Sequence, residues 1–196
     1  MNKTHVAIVL ARAIGKTLTP ELAAEIAREL FDSPDLARPP STFEPQQYGA
    51  YTFALESFRE ILPELHELHV QHYAETEAYR GVPLNPDYAA MAQSEHDGQL
   101  MQFTARCDGR LVGNMRINLT QSTHSQTKQA TEDGIFLLPE HRGGFVAVRL
   151  WQYVEKCIAQ VGVKELFFLS KDSNRSDRLA TYLKYQPVGQ LFSKSL

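Results

Sequence analysis

Apolar positions recur along this chain at two spacings, and the places where the spacing changes mark its elements. Residues 4–14 are apolar around most of a helical circumference, and Gly15 follows as a natural helix end. In "TPELAAEIARELF", Thr19 offers an N-cap, Pro20 takes the first helical position and Glu21 suits the positive end of the dipole. Leu22, Ile26 and Leu30 share a face with Ala23. Together these segments predict a helical hairpin. The next stretch, "DSPDLARPPSTFEP", has four prolines and no apolar period, which is linker composition. The expected organisation is an N-terminal helical extension with a Pro-rich linker over residues 1–44 and a main domain over 45–196. A hairpin this small does not hold itself together. It is expected to dock on the main domain or on a second copy, giving a homodimer.

The main domain alternates the two periods. "YGAYTFALE" places strand formers Tyr51, Phe53 and Leu55 in alternation. "SFREILPELHELHVQHYAETEAY" carries helical spacing at Ile61, Leu65 and Leu68, with Pro63 in its first turn or bending it. A loop follows, then a short helix begun at Asn85-Pro86. "LMQFTARCDGRLVGNMRINLTQS" is a hairpin turned at Asp108-Gly109. "TKQATEDGIFLLP" is a further strand, and "FVAVRLWQYVEKCIAQVG" a helix closed by Gly162. "VKELFFLSK" is nearly continuous in apolar residues and predicts a buried central strand. "NRSDRLATYLKY" is a short helix and "QPVGQLFSKSL" a last strand. The order β-α-α-β-β-β-α-β-α-β implies a mixed α/β sheet with helices on both faces.

Composition narrows the class. The 196 residues are 43% hydrophobic and 22% charged, enough to build a core. The net charge of −3 gives no general attraction to nucleic acid or to an anionic membrane. No apolar stretch is long enough to span a bilayer, and Arg12 breaks the first apolar run before any cleavage site. Cys107 and Cys157 lie far apart within apolar patterns, so buried thiols in a reduced, cytoplasmic protein are expected.

The segment "LLPEHRGGFVAVRLWQYVEK" puts two glycines at the entrance of a helix, where glycine is costly. A helix start presents unpaired N–H groups and the positive dipole end, which suit a diphosphate. Glycine lets phosphate oxygens approach the backbone without a Cβ in the way. The alternative is an ordinary turn in which Gly143 and Gly144 serve backbone geometry alone.

From about Tyr48 onward the chain resembles the GNAT superfamily of N-acetyltransferases, most closely in "IFLLPEHRGG…VRLWQYVE" followed by a strand, a short helix and an aromatic-Pro element. The "RGG" form is similar to that of small bacteriophage-encoded members. The resemblance implies a GNAT-like mixed, mostly antiparallel central sheet flanked by helices, with acetyl-CoA as co-substrate. It places the cofactor against Leu137, Leu138, Arg142, Gly143, Gly144, Phe145, Val146 and Ala147, with Ser173 or Asn174 after the next strand. The family pattern Arg/Gln-x-x-Gly-x-Gly/Ala maps Arg142 to its first position and Ala147 to its last, but Phe145 stands where the middle glycine falls. Ser173 or Asn174 would also serve as a helix cap.

Acetyl transfer to an amine needs a neutral nucleophile, so a carboxylate or His must draw off a proton. Glu132 and Asp133 on the strand before the loop are the acidic candidates. The family's thiolate-protonating tyrosine maps to Ala180, and Tyr182 lies two residues further on. Tyr182 serves in that role if the helix is shifted, and otherwise Tyr182 or Tyr185 packs in the core. In "HELHVQHY", His66, His69 and His72 are spaced by three, without the pattern that would converge on a metal, so none is expected. Tyr73, Tyr79 and Arg80 are expected to shape the acceptor pocket for a small-molecule or peptide amine. The expected activity is therefore direct acetyl transfer to a primary amine. The alternative is a weak or inactive CoA-binding or structural GNAT-fold protein, virion-associated among other settings, for which the departures at Phe145 and Ala180 speak.

Overall fold

The computed structural model describes residues 3–31, 36–170, 176–190 and 194. The chain forms two compact units, Met1–Leu36 and Ala37–Leu196. In the first, helix α1 (Lys3–Ala13) ends before Gly15, whose φ of 80° is easy only for glycine, and α2 (Pro20–Phe31) follows. The Thr19 hydroxyl oxygen accepts the Leu22 amide at 3.2 Å, so the N-cap forms.

The second unit is built on six strands in the order β1-β2-β3-β4-β5-β6, antiparallel throughout except for the parallel pair β5 and β6. They are β1 (Gln46–Tyr48), β2 (Tyr51–Glu56), β3 (Leu100–Cys107), β4 (Arg110–Gln121), β5 (Lys128–Leu137) and β6 (Glu165–Phe167). Helices α3 (Phe58–Thr76) and α4 (Tyr88–His96) precede β3, α5 (Val146–Gln160) connects β5 to β6, and α6 (Asp177–Tyr182) follows. The β3–β4 turn has Asp108 at φ 47° and Gly109 at φ 83°, the left-handed pair that a two-residue hairpin requires.

Cross-strand registry sorts the side chains onto two faces, because residues directly opposite each other point the same way. One row runs Leu55, Phe103, Met115, Ile135, and the next Phe53, Ala105, Gly113, Leu137. These meet the apolar stripe of α5, with Tyr153 against the rings of Phe53 and Phe103. Rows on the opposite face run Glu56, Gln102, Arg116, Gly134 and Ala54, Thr104, Asn114, Phe136. They lie toward α3 and α4: Arg106 bridges Glu56 and Glu64 of α3, and Arg116 reaches Met91 of α4.

Five local expectations change. β1 is an extra strand, reversed into β2 at Gly49 with φ 58°. α4 begins two residues later than the Asn85-Pro86 signal suggested, because the Asp87 carboxylate caps it by accepting the Ala90 amide at 2.9 Å. Pro63 falls in the second turn of α3, since Glu95 accepts the Phe58 amide at 2.6 Å and starts the helix earlier. The apolar run after Val163 is a three-residue strand at the sheet edge among the described residues, not a central one. Its remaining aromatic residue, Phe168, leaves the sheet to stack on Trp151 at 4.3 Å. Residues 186–190 are not strand, and the rest of the expected last strand lies outside the described residues apart from Lys194.

Candidate active site

β5 and β6 stay paired for only three residues, Gln129 with Glu165 to Thr131 with Phe167. Beyond them the strands part. Trp151 draws Phe168 toward α5, and Tyr185 secures that corner: its hydroxyl accepts the Trp151 indole N–H at 2.8 Å and donates to Glu155 at 2.8 Å. Burial pushes the Tyr185 phenol well up, so it remains protonated there. At the point of divergence the Glu132 carboxylate accepts the Leu169 amide at 3.3 Å.

The ladder's phase decides what the opening displays. The Leu138 amide donates to the Val112 carbonyl at 2.9 Å. Backbone groups alternate sides in an antiparallel ladder, so Phe136 and Leu138 turn theirs to β4. Ile135 and Leu137 turn theirs the other way, where β6 has ended. The Leu137 carbonyl there accepts the Arg142 Nε–H at 2.8 Å. The amides of Ile135 and Leu137 point into the wedge.

A short turn, Pro139–His141, carries the chain from β5 to α5. Gly144 has φ 65°, and a Cβ at either Gly143 or Gly144 would meet nothing within 4 Å. The cradle is open above both glycines. The Phe145 carbonyl accepts the Arg149 amide at 2.8 Å, which leaves the amides of Val146, Ala147 and Val148 ahead of the helix's own ladder, with no side-chain cap. Phe145 does not fill the cradle: its ring is 49% exposed and lies against Tyr182 at 5.9 Å. Arg142 clamps the turn instead of reaching outward. Its guanidinium makes a bidentate pair with Glu75 of α3 at 3.0 and 2.6 Å and sits 5.1 Å from the Phe136 ring.

A bulge in β5 separates the two acidic candidates. Ile117 pairs with Glu132 and Arg116 with Gly134, so Asp133 is the extra residue. Glu132 faces the α5 side and is only 4% exposed. Asp133 turns to the other face, where Arg116 binds it at 2.7 and 2.6 Å, with 42% of its side chain exposed. Adjacent in sequence, they are divided by the sheet.

Facing Asp133, His72 stacks on Phe136 at 5.1 Å, and its Cε1 lies 3.3 Å from where a Gly134 Cβ would be. His66 and His69 both bind the Tyr88 hydroxyl through Nδ1, at 3.0 and 3.1 Å. Burial, with Arg116 next in weight, pushes His69 down to about 4. Burial also raises the Tyr88 phenol. Among the described residues no group of three His, Cys, Asp or Glu is arranged to hold a metal. Sequence spacing had grouped the three histidines, but nothing in it signalled Tyr88 as the residue joining two of them.

Tyr73 donates its hydroxyl to the Val82 carbonyl and lines a cavity of about 490 Å³ with Glu77, Val82, Pro83, Leu84 and Pro86. Tyr79 stands exposed outside it. Arg80 ends the turn Ala78–Arg80, and its side chain lies outside the described set. Ser173 and Asn174 lie outside the described residues.

Solved structures share this architecture. A ribosomal-protein-alanine N-acetyltransferase from Brucella melitensis biovar Abortus 2308 is 18% identical, with a TM-score of 0.57 over 75% of this chain and 98% of that one. The aminoglycoside acetyltransferase AAC(6')-Iy, in complex with a bisubstrate analogue, is 18% identical, with a TM-score of 0.59 over 74% and 97%. A predicted acetyltransferase from Clostridium acetobutylicum, solved with acetyl-CoA, is 10% identical, with a TM-score of 0.59 over 74% and 96%. No curated protein sequence matches. At these identities the likeness defines the fold, a curled mixed sheet with a parted parallel pair. The sequence model of the GNAT acetyltransferase family matches residues 56–185, and the chain belongs to that family.

Proposed function

We propose that this chain moves an acetyl group from acetyl-CoA directly to a primary amine on a small molecule or peptide. The observation that carries this reading is the wedge between β5 and β6, continuous with an open helix start at Gly143 and Gly144. The residues fit the cofactor. Free amides at Val146 and Ala147, with the positive end of the α5 dipole, suit a diphosphate, each charge-assisted bond contributing about 1.5–3 kcal/mol. The outward amides of Ile135 and Leu137 suit the pantetheine and the thioester carbonyl, where negative charge grows during attack. Leu138, Gly143, Gly144 and Phe145 border this path, and Ser173 or Asn174 is assigned to its far side.

In the reaction the amine nitrogen bonds to the acetyl carbon, the carbon–sulfur bond breaks and the amine sheds a proton. Of the two carboxylate candidates, Asp133 lies on the face that carries the histidines, whereas Glu132 holds the vertex of the wedge. The exposed Tyr182 lies beside Phe145 at the head of α5, where the diphosphate would sit, and is assigned to protonate the departing thiolate only with α6 shifted toward Ile135 and Leu137. Tyr73, Tyr79 and Arg80 are assigned to the acceptor's approach. Residues 45–196 carry the activity, with 1–44 as an appended unit for self-association, and the cytoplasm as the setting. A second reading, binding of CoA without turnover, is favoured by the commitment of Arg142 to Glu75.

Calorimetric titration with acetyl-CoA tests the site. Gly144→Asp places a carboxylate in the cradle, and aspartate tolerates positive φ. It should weaken acetyl-CoA binding at least 100-fold while the unfolding temperature holds; unchanged affinity rejects the loop assignment.

A further inference from the structure

We infer that His69, Tyr88 and His66 form an exit line carrying the proton shed by the acceptor amine from the bulge of β5 to solvent. The inference rests on the transferase reading above.

Three observations carry it. First, His69 is 9% exposed and its Nε2 is fully covered, with no hydrogen-bond partner among the described residues. A buried polar nitrogen left without a partner is costly, and such a cost is commonly retained where chemistry uses the atom. Second, the other nitrogen is committed: Nδ1 lies 3.1 Å from the Tyr88 hydroxyl, which lies 3.0 Å from Nδ1 of His66. The rings hold the line in place, with Tyr88 stacked on His69 at 24° and edge-on to His66 at 77°. Third, the line has a covered end and a wet end, since His66 is exposed.

A phenol hydroxyl donates one hydrogen bond while accepting another. With Nδ1–H of His69 donating to Tyr88 and the Tyr88 O–H donating to Nδ1 of His66, the Nε2 of His69 keeps a bare lone pair. No described group reaches Nε2 in the free chain, so the bound acceptor has to bring a donor, its own amine or the Asp133 carboxylate, within reach; one proton then enters there. The Nδ1 proton of His69 passes to the Tyr88 oxygen, the Tyr88 proton passes to His66, and His66 releases one proton to water. One proton enters, one leaves, and no charge stays inside.

The groups around His69 suit passage over storage. His66 and His72 flank it on α3, Tyr88 packs from α4, Arg116 from β4 and Asp133 from β5. The Arg116 cation opposes a second positive charge at His69, so an imidazolium does not accumulate there. His66 lies at the solvent end, where a charge is hydrated.

Two measurements decide the matter. Nitrogen-15 NMR of the full chain should find His69 protonated at Nδ1 and bare at Nε2; the opposite tautomer overturns the line. Tyr88→Phe keeps the ring and removes the relay oxygen. Thiol release should fall 10- to 100-fold in kcat, with the alkaline shift of the pH profile that a lost proton acceptor gives and with unchanged acetyl-CoA affinity. His66→Gln, at an exposed position and checked by an unchanged unfolding temperature, should give a several-fold fall relieved by added imidazole. If kcat and the pH profile are unchanged in both variants, the line is overturned and the transferase reading stands. A wild-type chain that binds no acetyl-CoA, or releases no thiol to any amine, overturns that reading and the line with it.

Discussion

The two faces of the sheet are built from different chemistry. On the α5 side, Phe53, Leu55, Phe103, Met115 and Ile117 are buried against Leu150, Tyr153 and Val154, and hydrophobic burial does the work. On the α3 and α4 side the sheet presents Glu56, Gln102, Thr104, Arg106, Asn114 and Arg116, tied by ion pairs and hydrogen bonds. Both faces retain buried polar atoms without partners among the described residues: Gln102 Oε1, Asn114 Oδ1 and His69 Nε2 on the polar face, and the Tyr153 hydroxyl on the α5 face. One face secures the fold and shapes the wedge. The other gathers titratable groups, with His66, His69, His72, Tyr88 and Asp133 close together.

Substitutions should separate these roles. Trp151→Ala removes a fully buried ring from the α5 face together with its stack on Phe168. Urea unfolding should show a loss of about 3–5 kcal/mol. A loss below about 1 kcal/mol would mean that Trp151 does not hold the far wall of the wedge.

Acid should act on the other face. His69 is held at about 4, against an ordinary value of 6.5. Above 6.5 the folded and unfolded chains carry the same charge at this residue. Between 6.5 and about 4 the unfolded chain takes a proton that the folded one refuses, so stability falls as pH falls, by on the order of 3 kcal/mol. In His69→Leu that part of the decline should vanish from urea titrations across this window. An unchanged pH slope would place the cause elsewhere.

Arg116→Met should have the smallest effect on stability. Its partner Asp133 is partly exposed and rehydrates, so a loss under about 1 kcal/mol is expected. Thiol release should respond more than unfolding does, because the bulge loses the cation that orients Asp133. A loss of several kcal/mol would mean that the ion pair secures the fold.

Much of this was legible in the sequence, where one segment carries one role. The alternation in "LMQFTARCDGRLVGNMRINL", the Asp108-Gly109 turn, the Thr19 cap and the glycine pair ahead of α5 are local signals, and local physics reads them. The run "ELFFLS" misled, because apolar continuity does not say what the residues pack against. Phe168 answers to Trp151, which lies 17 positions earlier in the chain, and that attachment opens the wedge. Glu132 and Asp133 looked like one acidic site because a bulge has no mark in the residues that form it. The tie of His66 and His69 through Tyr88 crosses from one helix to the next, and spacing within a helix cannot show it.

The central claim is that the parted strands receive acetyl-CoA through the backbone of β5. Amide hydrogen exchange, followed residue by residue by NMR with and without the coenzyme, tests it directly. Exchange at Ile135, Leu137, Val146 and Ala147 should slow at least tenfold on saturation, while the amides of Phe136 and Leu138, already bonded to β4, hold their rates. Saturation that leaves Ile135 and Leu137 exchanging as in the free chain would contradict the account.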